Sequence, residues 1–240
     1  AYGVTTNHVL GVEVVLADGS IQWLGGKTRS FPGYDLRGIL VGSEGTLGIV
    51  TKIAVRLLVQ PEAIKTLLAV FNELDEASAA VTGIIAAGIV PAALEMMDDI
   101  CIKAVEPAVN AGYPPNAGAI LLVEADGLKE SVEEEVEEIE RICHEHNSLE
   151  IRTATDSDER ERLWAGRKGV LGALGRLAPN YYLADGTIPR TKLVEILREI
   201  KELSKETGFA IANLLHAGDG NLHPSILFNE RELKGEGSHP

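Results

Sequence analysis

From residue 61 to residue 228 two kinds of apolar pattern alternate, and this restricts the fold more than any other feature. Dense runs of strand length ("IKTLLAVF", "PAALEMM", "AILLVEA", "LEIRTAT", "YYLADGTIP") are separated by stretches with helical patterning. In the clearest of these, residues 129–146, Val132, Val136, Ile139 and Cys143 recur at helical spacing. Glu133, Glu134, Glu137 and Glu138 cover the opposite, solvated face. A second such stretch, residues 192–205, has Leu193, Ile196, Leu197 and Ile200 as its buried stripe and Gly208 as its stop. An element with one apolar face has to bury it against another layer. The expected class is therefore α+β: an antiparallel or mixed sheet, one face buried by the helices beginning near Lys129 and Lys192.

The first sixty residues read differently. "VLGVEVVLADGSIQWLGG" is two apolar runs about an Asp18-Gly19 turn, a hairpin signal. Further on, Ile53, Val55 and Leu57 alternate with Lys52, Ala54 and Arg56, the pattern of a half-buried strand. Gln60-Pro61-Glu62 marks the boundary. The expected organisation is 1–60, 61–230 and a tail over 231–240, with Ala1 read as the interior of a longer sequence. The net charge of −14 argues against nucleic acid and anionic lipid as partners, since like charge repels both. No apolar run is long enough for a membrane span, and no leader is read. Two cysteines, Cys101 and Cys143, are too few for a disulfide framework and fit a reducing compartment, the cytoplasm.

Three constellations carry chemistry. In "VGSEGTLGIVT" the glycines Gly42, Gly45 and Gly48 precede a strand, so the segment is neither a Walker loop nor a Rossmann fingerprint. Either its bare backbone offers N–H groups to a phosphate or a polar ring edge, or it is a glycine-rich turn with a bulge. In "LWAGRKGVLGALGRLAPNYYLADGTIPR", Arg167 follows Trp164 on a helix before a tyrosine-rich strand. Its planar fork suits a substrate carboxylate, and the plainer reading is a surface arginine. In "LLHAGDGNLHP" a two-residue Asp219-Gly220 turn would pair His216 directly with His223, Cβ atoms about 4.5–5.5 Å apart. Two such imidazoles can share one cation at about 2.0–2.1 Å, or can simply pack across a hairpin.

Taken in order, "YGVTTNHVLGVEVVLADG", "VGSEGTLGIVT", "LWAGRK" with "DGTIPR", and "HAGDGNLH" resemble the FAD-linked D-2-hydroxy-acid dehydrogenases of the vanillyl-alcohol-oxidase superfamily. The resemblance runs over nearly the whole chain. It implies a fragment: the C-terminal part of an FAD-binding domain, then most of a substrate, or cap, domain. It implies that Gly42, Ser43, Glu44, Gly45, Gly48, Ile49 and Val50 hold FAD and that Arg167 takes the substrate carboxylate. His216 and His223 would bind a divalent metal, zinc or manganese, with Asn221 in the turn between them near the flavin. Near the "YYLADG" strand Leu183 or a neighbour stands where relatives carry a lysine contact, which speaks against a larger dicarboxylate. The family's upstream pyrophosphate loop and downstream acidic metal ligand are not in this sequence.

The implied activity is oxidation of a small D-2-hydroxy acid, glycolate or D-lactate, to the 2-oxo acid, with electrons leaving to an acceptor subunit. The chain alone is expected to be inactive and to hold FAD weakly. A non-catalytic module that binds a partner subunit and a metal-dependent hydrolase resting on the histidine pair are the rival readings.

Overall fold

A computed structural model describes residues 2–28 and 33–233. The molecule divides into two compact units, 1–60 and 61–240. Of the tail expected over 231–240, residues 234–240 lie outside the described residues.

The first unit is a three-stranded antiparallel sheet in the order β2-β1-β3, made of β1 (Val9–Val15), β2 (Ile21–Gly25) and β3 (Ile49–Val55), with a short helix α1 (Leu36–Leu40). The expected hairpin turn forms between β1 and β2. Asp18 Oδ1 accepts from the amide and hydroxyl of Ser20, and Gly19 takes the left-handed conformation at φ +81°. Val9, Val12, Val14 and Leu40 make the small core. The stripe read as half-buried faces out, with Ile53 56% and Leu57 84% exposed. The reason is local: α1 lies against β1 and β2, while β3 is an edge strand.

The second unit runs β4 (Ala63–Phe71), α2 (Leu74–Ala86), β5 (Ala93–Asp98), α3 (Asp99–Val109), β6 (Ala119–Gly127), α4 (Lys129–Glu145), β7 (Glu150–Thr153), α5 (Ser157–Leu174), β8 (Asn180–Leu183), β9 (Gly186–Thr187), α6 (Leu193–Thr207), β10 (Ala210–His216), β11 (Asn221–Phe228) and α7 (Glu230–Leu233). The sheet order is β7-β4-β6-β5-β10-β11-β8, with β9 also on β11, and every described pairing is antiparallel. The class is α+β, as the patterning implied.

The helices of the two stripes, α4 and α6, do cover one face. They pack together with α2 on Leu67, Phe71, Leu121 and Leu215. The other face is not left open, as the sequence reading had allowed. Helices α3 and α5 cover it, packing Ile102, Val105, Leu163 and Val170 on Leu68, Leu122 and Leu214. Three layers result, and the dense apolar runs have that cause: a strand buried on both faces needs no polar alternation. The helix ends follow the local chemistry. Asp98 and Asp156 accept the amides of Cys101 and Glu159 to cap α3 and α5, and Gly208 at φ +75° ends α6. No described helix is long and apolar enough to cross a membrane.

Candidate active site

The hairpin of β10 and β11 positions the two histidines, although not by the expected turn. His216 pairs with Asn221, and Leu214 pairs with His223, so the loop is residues 217–220 rather than Asp219-Gly220 alone. The amide of Gly220 closes it on the His216 carbonyl at 3.1 Å, with Gly220 at φ +80°. Asn221 is therefore the first residue of β11 and not part of the turn. The slip is by two positions, and side chains alternate with period two, so both imidazoles stay on one face. They meet as diagonal neighbours: their ring centroids are 5.1 Å apart and their planes nearly perpendicular at 87°.

That face is the one α5 covers, and α5 brings Arg167 to it. Arg167 is no surface residue. Its Nε and Nη2 donate to Glu95 Oε2 at 2.9 and 2.8 Å, and the two side chains are only 11% and 10% exposed. Glu95 lies on β5 directly opposite His216, whose Nδ1 is 2.8 and 2.9 Å from its two carboxylate oxygens. Across the ring pair, His223 Nδ1 stands 3.4 Å from Asp185 Oδ1. Burial lowers the His223 pKa from its ordinary value near 6.5, with His216 and Arg167 pushing the same way against Asp185 and Glu95. Asn221 contributes a buried Oδ1 that has no hydrogen-bond partner.

The seat of α5 is tightly specified. A Cβ on Gly166 would fall 2.5 Å from the buried Tyr113 ring, and Tyr113 donates its hydroxyl to the Leu163 carbonyl of the same helix. One turn earlier, Glu124 accepts from Arg160 Nε at 2.8 Å and from Trp164 Nε1 at 2.8 Å. Sequence reasoning singled out Arg167 and both histidines as candidates and passed over Glu95 and Asp185, which the fold brings beside them. A signal for Glu95 was present: one acid in the middle of the apolar run "PAALEMM" has to find a partner once the strand is buried.

Among the described residues no group of three or more His, Cys, Asp or Glu side chains is placed to hold a metal ion. The imidazole pair supplies two nitrogens and nothing further. The glycine loop of the first unit, residues 41–48, has Gly42, Glu44 and Gly45 at φ +89°, +51° and +78°. A Cβ on Gly42 or Gly45 would meet nothing within 4 Å, so both are open to an approaching group. The amides of Glu44 and Gly45 make no hydrogen bond to another described residue. Gly48 differs: its absent Cβ would strike Val14 at 2.6 Å, so it serves packing. Ser43 accepts the Thr46 amide at 3.0 Å, and Ile49 and Val50 begin β3.

Residues 60–238 match the family described as FAD linked oxidases, C-terminal domain. The chain belongs to that family. This FAD-linked oxidase chain is 45% identical over 231 residues to the glycolate oxidase subunit GlcD of Escherichia coli (strain K12), covering 96% of this chain and 46% of that protein. It is 34% identical to a probable mitochondrial D-lactate dehydrogenase of Danio rerio, covering 96% of this chain and 47% of that protein. The chain thus spans about half the length of these curated relatives. Among solved structures it resembles an alkyldihydroxyacetonephosphate synthase with TM-score 0.67 at 15% identity, over 96% of this chain and 48% of that one. That likeness shows the fold.

Proposed function

We propose that this chain is part of an FAD-dependent enzyme that oxidises a small D-2-hydroxy acid, glycolate or D-lactate, to the 2-oxo acid. The observation that carries the reading is the convergence of Arg167, His216 and His223 on one sheet face. A 2-hydroxy acid presents a carboxylate with a hydroxyl on the next carbon. It calls for a planar cation and, beside it, a polar group for the hydroxyl. Glu95 occupies the Nε–Nη2 edge of Arg167, while Nη1 has no described partner and is not sealed from solvent. The end-on edge is thus left for a carboxylate.

His223, kept neutral to lower pH by burial, offers a lone pair. With His216 it would hold a divalent metal, zinc or manganese, which when bound lowers the pKa of the substrate hydroxyl. Two imidazoles make a weak site by themselves, leaving most of the coordination to water and other ligands. The unpartnered Oδ1 of Asn221 would accept a hydrogen bond from a substrate donor. In the first unit, taken as the C-terminal part of the FAD domain, the residues that would hold FAD are Gly42, Ser43, Glu44 and Gly45, with Gly48, Ile49 and Val50 anchoring the loop to β1 through packing and strand pairing. The left-handed residues and unpaired amides of that loop suit a polar ring edge or a phosphate. FAD, when bound, supplies the hydride acceptor.

A relative named as a subunit favours electron transfer onward to a separate acceptor subunit. Two buried, unpaired cysteines favour the cytoplasm. The test is Arg167→Lys in the full-length enzyme, which keeps the charge and loses the fork. Losing a charged bidentate contact of about 1.5–3 kcal/mol should lower kcat/KM for glycolate or D-lactate roughly 10- to 100-fold. Unchanged kcat/KM for both acids would overturn the assignment.

A further inference from the structure

A carboxylate in the middle of a central strand is costly to bury unless it is fully paired. Glu95 is so placed, and both its partners belong to the site. We propose that Glu95 is the positioning residue of this site: it sets which nitrogen of His216 carries the lone pair, and it fixes the open edge of Arg167.

A carboxylate only accepts hydrogen bonds. With its two oxygens 2.8 and 2.9 Å from Nδ1 of His216, Glu95 requires that nitrogen to bear the hydrogen. In the neutral ring the lone pair then lies on Nε2, the atom left for a ligand. The same anion takes the Nε–Nη2 edge of Arg167 at 2.9 and 2.8 Å, so the guanidinium is oriented from the sheet side. It is oriented from the helix side as well. Gly166 against Tyr113, and Arg160 and Trp164 on Glu124, hold α5 in place. One side chain on β5 thereby couples an imidazole on β10 to a guanidinium on α5. The proposal rests on the functional reading above only for what the aligned groups are used for; the tautomer is a property of the chain alone.

The experiment is a long-range proton–nitrogen correlation spectrum of the ¹⁵N-labelled chain at about pH 9, well above the ordinary imidazole pKa of about 6.5. His216 is assigned by the signals that vanish in His216→Gln. The parent ring should be in the Nδ1–H form. In Glu95→Gln, whose amide can donate to Nδ1, the Nε2–H form should become the major one. If Glu95→Gln loses its fold by circular dichroism, the Glu95→Leu/Arg167→Met pair removes the acceptor and its opposed charge together, and the ring should then relax to the Nε2–H form that free imidazole side chains favour. A parent ring in the Nε2–H form, or a tautomer that does not move in the folded variant, overturns the proposal. In the full-length enzyme Glu95→Gln should also lower kcat/KM roughly 10- to 100-fold. An enzyme inactive on hydroxy acids but with the expected tautomer shift would refute the functional reading and leave this one standing.

Discussion

Gly166, Gly169 and Gly172 recur at every third position of α5, and replacing each with alanine tests how the helix that carries Arg167 is seated. All three substitutions share one gain, about 1 kcal/mol of helix propensity over glycine. Their surroundings differ. A Cβ at Gly172 meets nothing within 4 Å, so Gly172→Ala should stabilise by roughly 0.5–1 kcal/mol. At Gly169 it lies 3.0 Å from a methyl of Val109, which can give slightly, and the two effects should nearly cancel. At Gly166 it lies 2.5 Å from the ring and hydroxyl of Tyr113, a buried side chain anchored on the Leu163 carbonyl. Overpacking costs about 1–3 kcal/mol, and a broken buried hydrogen bond costs about as much again. Less the propensity gain, Gly166→Ala should destabilise by roughly 1–5 kcal/mol. Urea unfolding followed by Trp164 fluorescence, in a Trp23→Phe background, reads the order directly, because Trp164 lies on α5 itself. A Gly166→Ala midpoint at or above the parent's, or a Gly172→Ala midpoint below it, would refute the account of the seat.

Two titrations have opposite signs. Burial lowers the pKa of His223 from 6.5, so the folded state binds fewer protons than the unfolded one. Its contribution to stability is present above about pH 6.5 and is lost as the pH falls through the lowered value, and His223→Asn should flatten the acid limb. A pKa at or above 6.5 by proton NMR would contradict this. Asp98 behaves in the reverse sense: burial raises it from 3.8 to about 6, against hydrogen bonds from Cys101 and Asn213. Its contribution is full below 3.8 and lost as the pH rises through about 6, so the stability of the parent relative to Asp98→Asn should decline across that window. A flat difference would show that Asp98 is not perturbed.

Local chemistry determined much of the fold. The stripes of α4 and α6 are what a helix needs to cover a sheet, Gly208 and Asp18-Gly19 end their elements where the backbone demands it, and each dense apolar run became strand. Period alone also put His216 and His223 on one face, since a slip of two in register leaves side-chain parity intact. What period does not encode is which strands become neighbours and which elements cover them. That the stripe at Ile53 and Leu57 would face outward follows from where α1 lies, a choice between faces that alternation by itself leaves open. The second helical layer of α3 and α5 could not be read from strands whose runs are apolar on both sides. Glu95 shows the limit most plainly. Its partners are 72 and 121 residues away, and only the sheet order β6-β5-β10 and the docking of α5 bring a carboxylate, an imidazole and a guanidinium within hydrogen-bond reach. Sequence carries the chemistry of each group, but the distances between them are set by long-range packing, which no local pattern records.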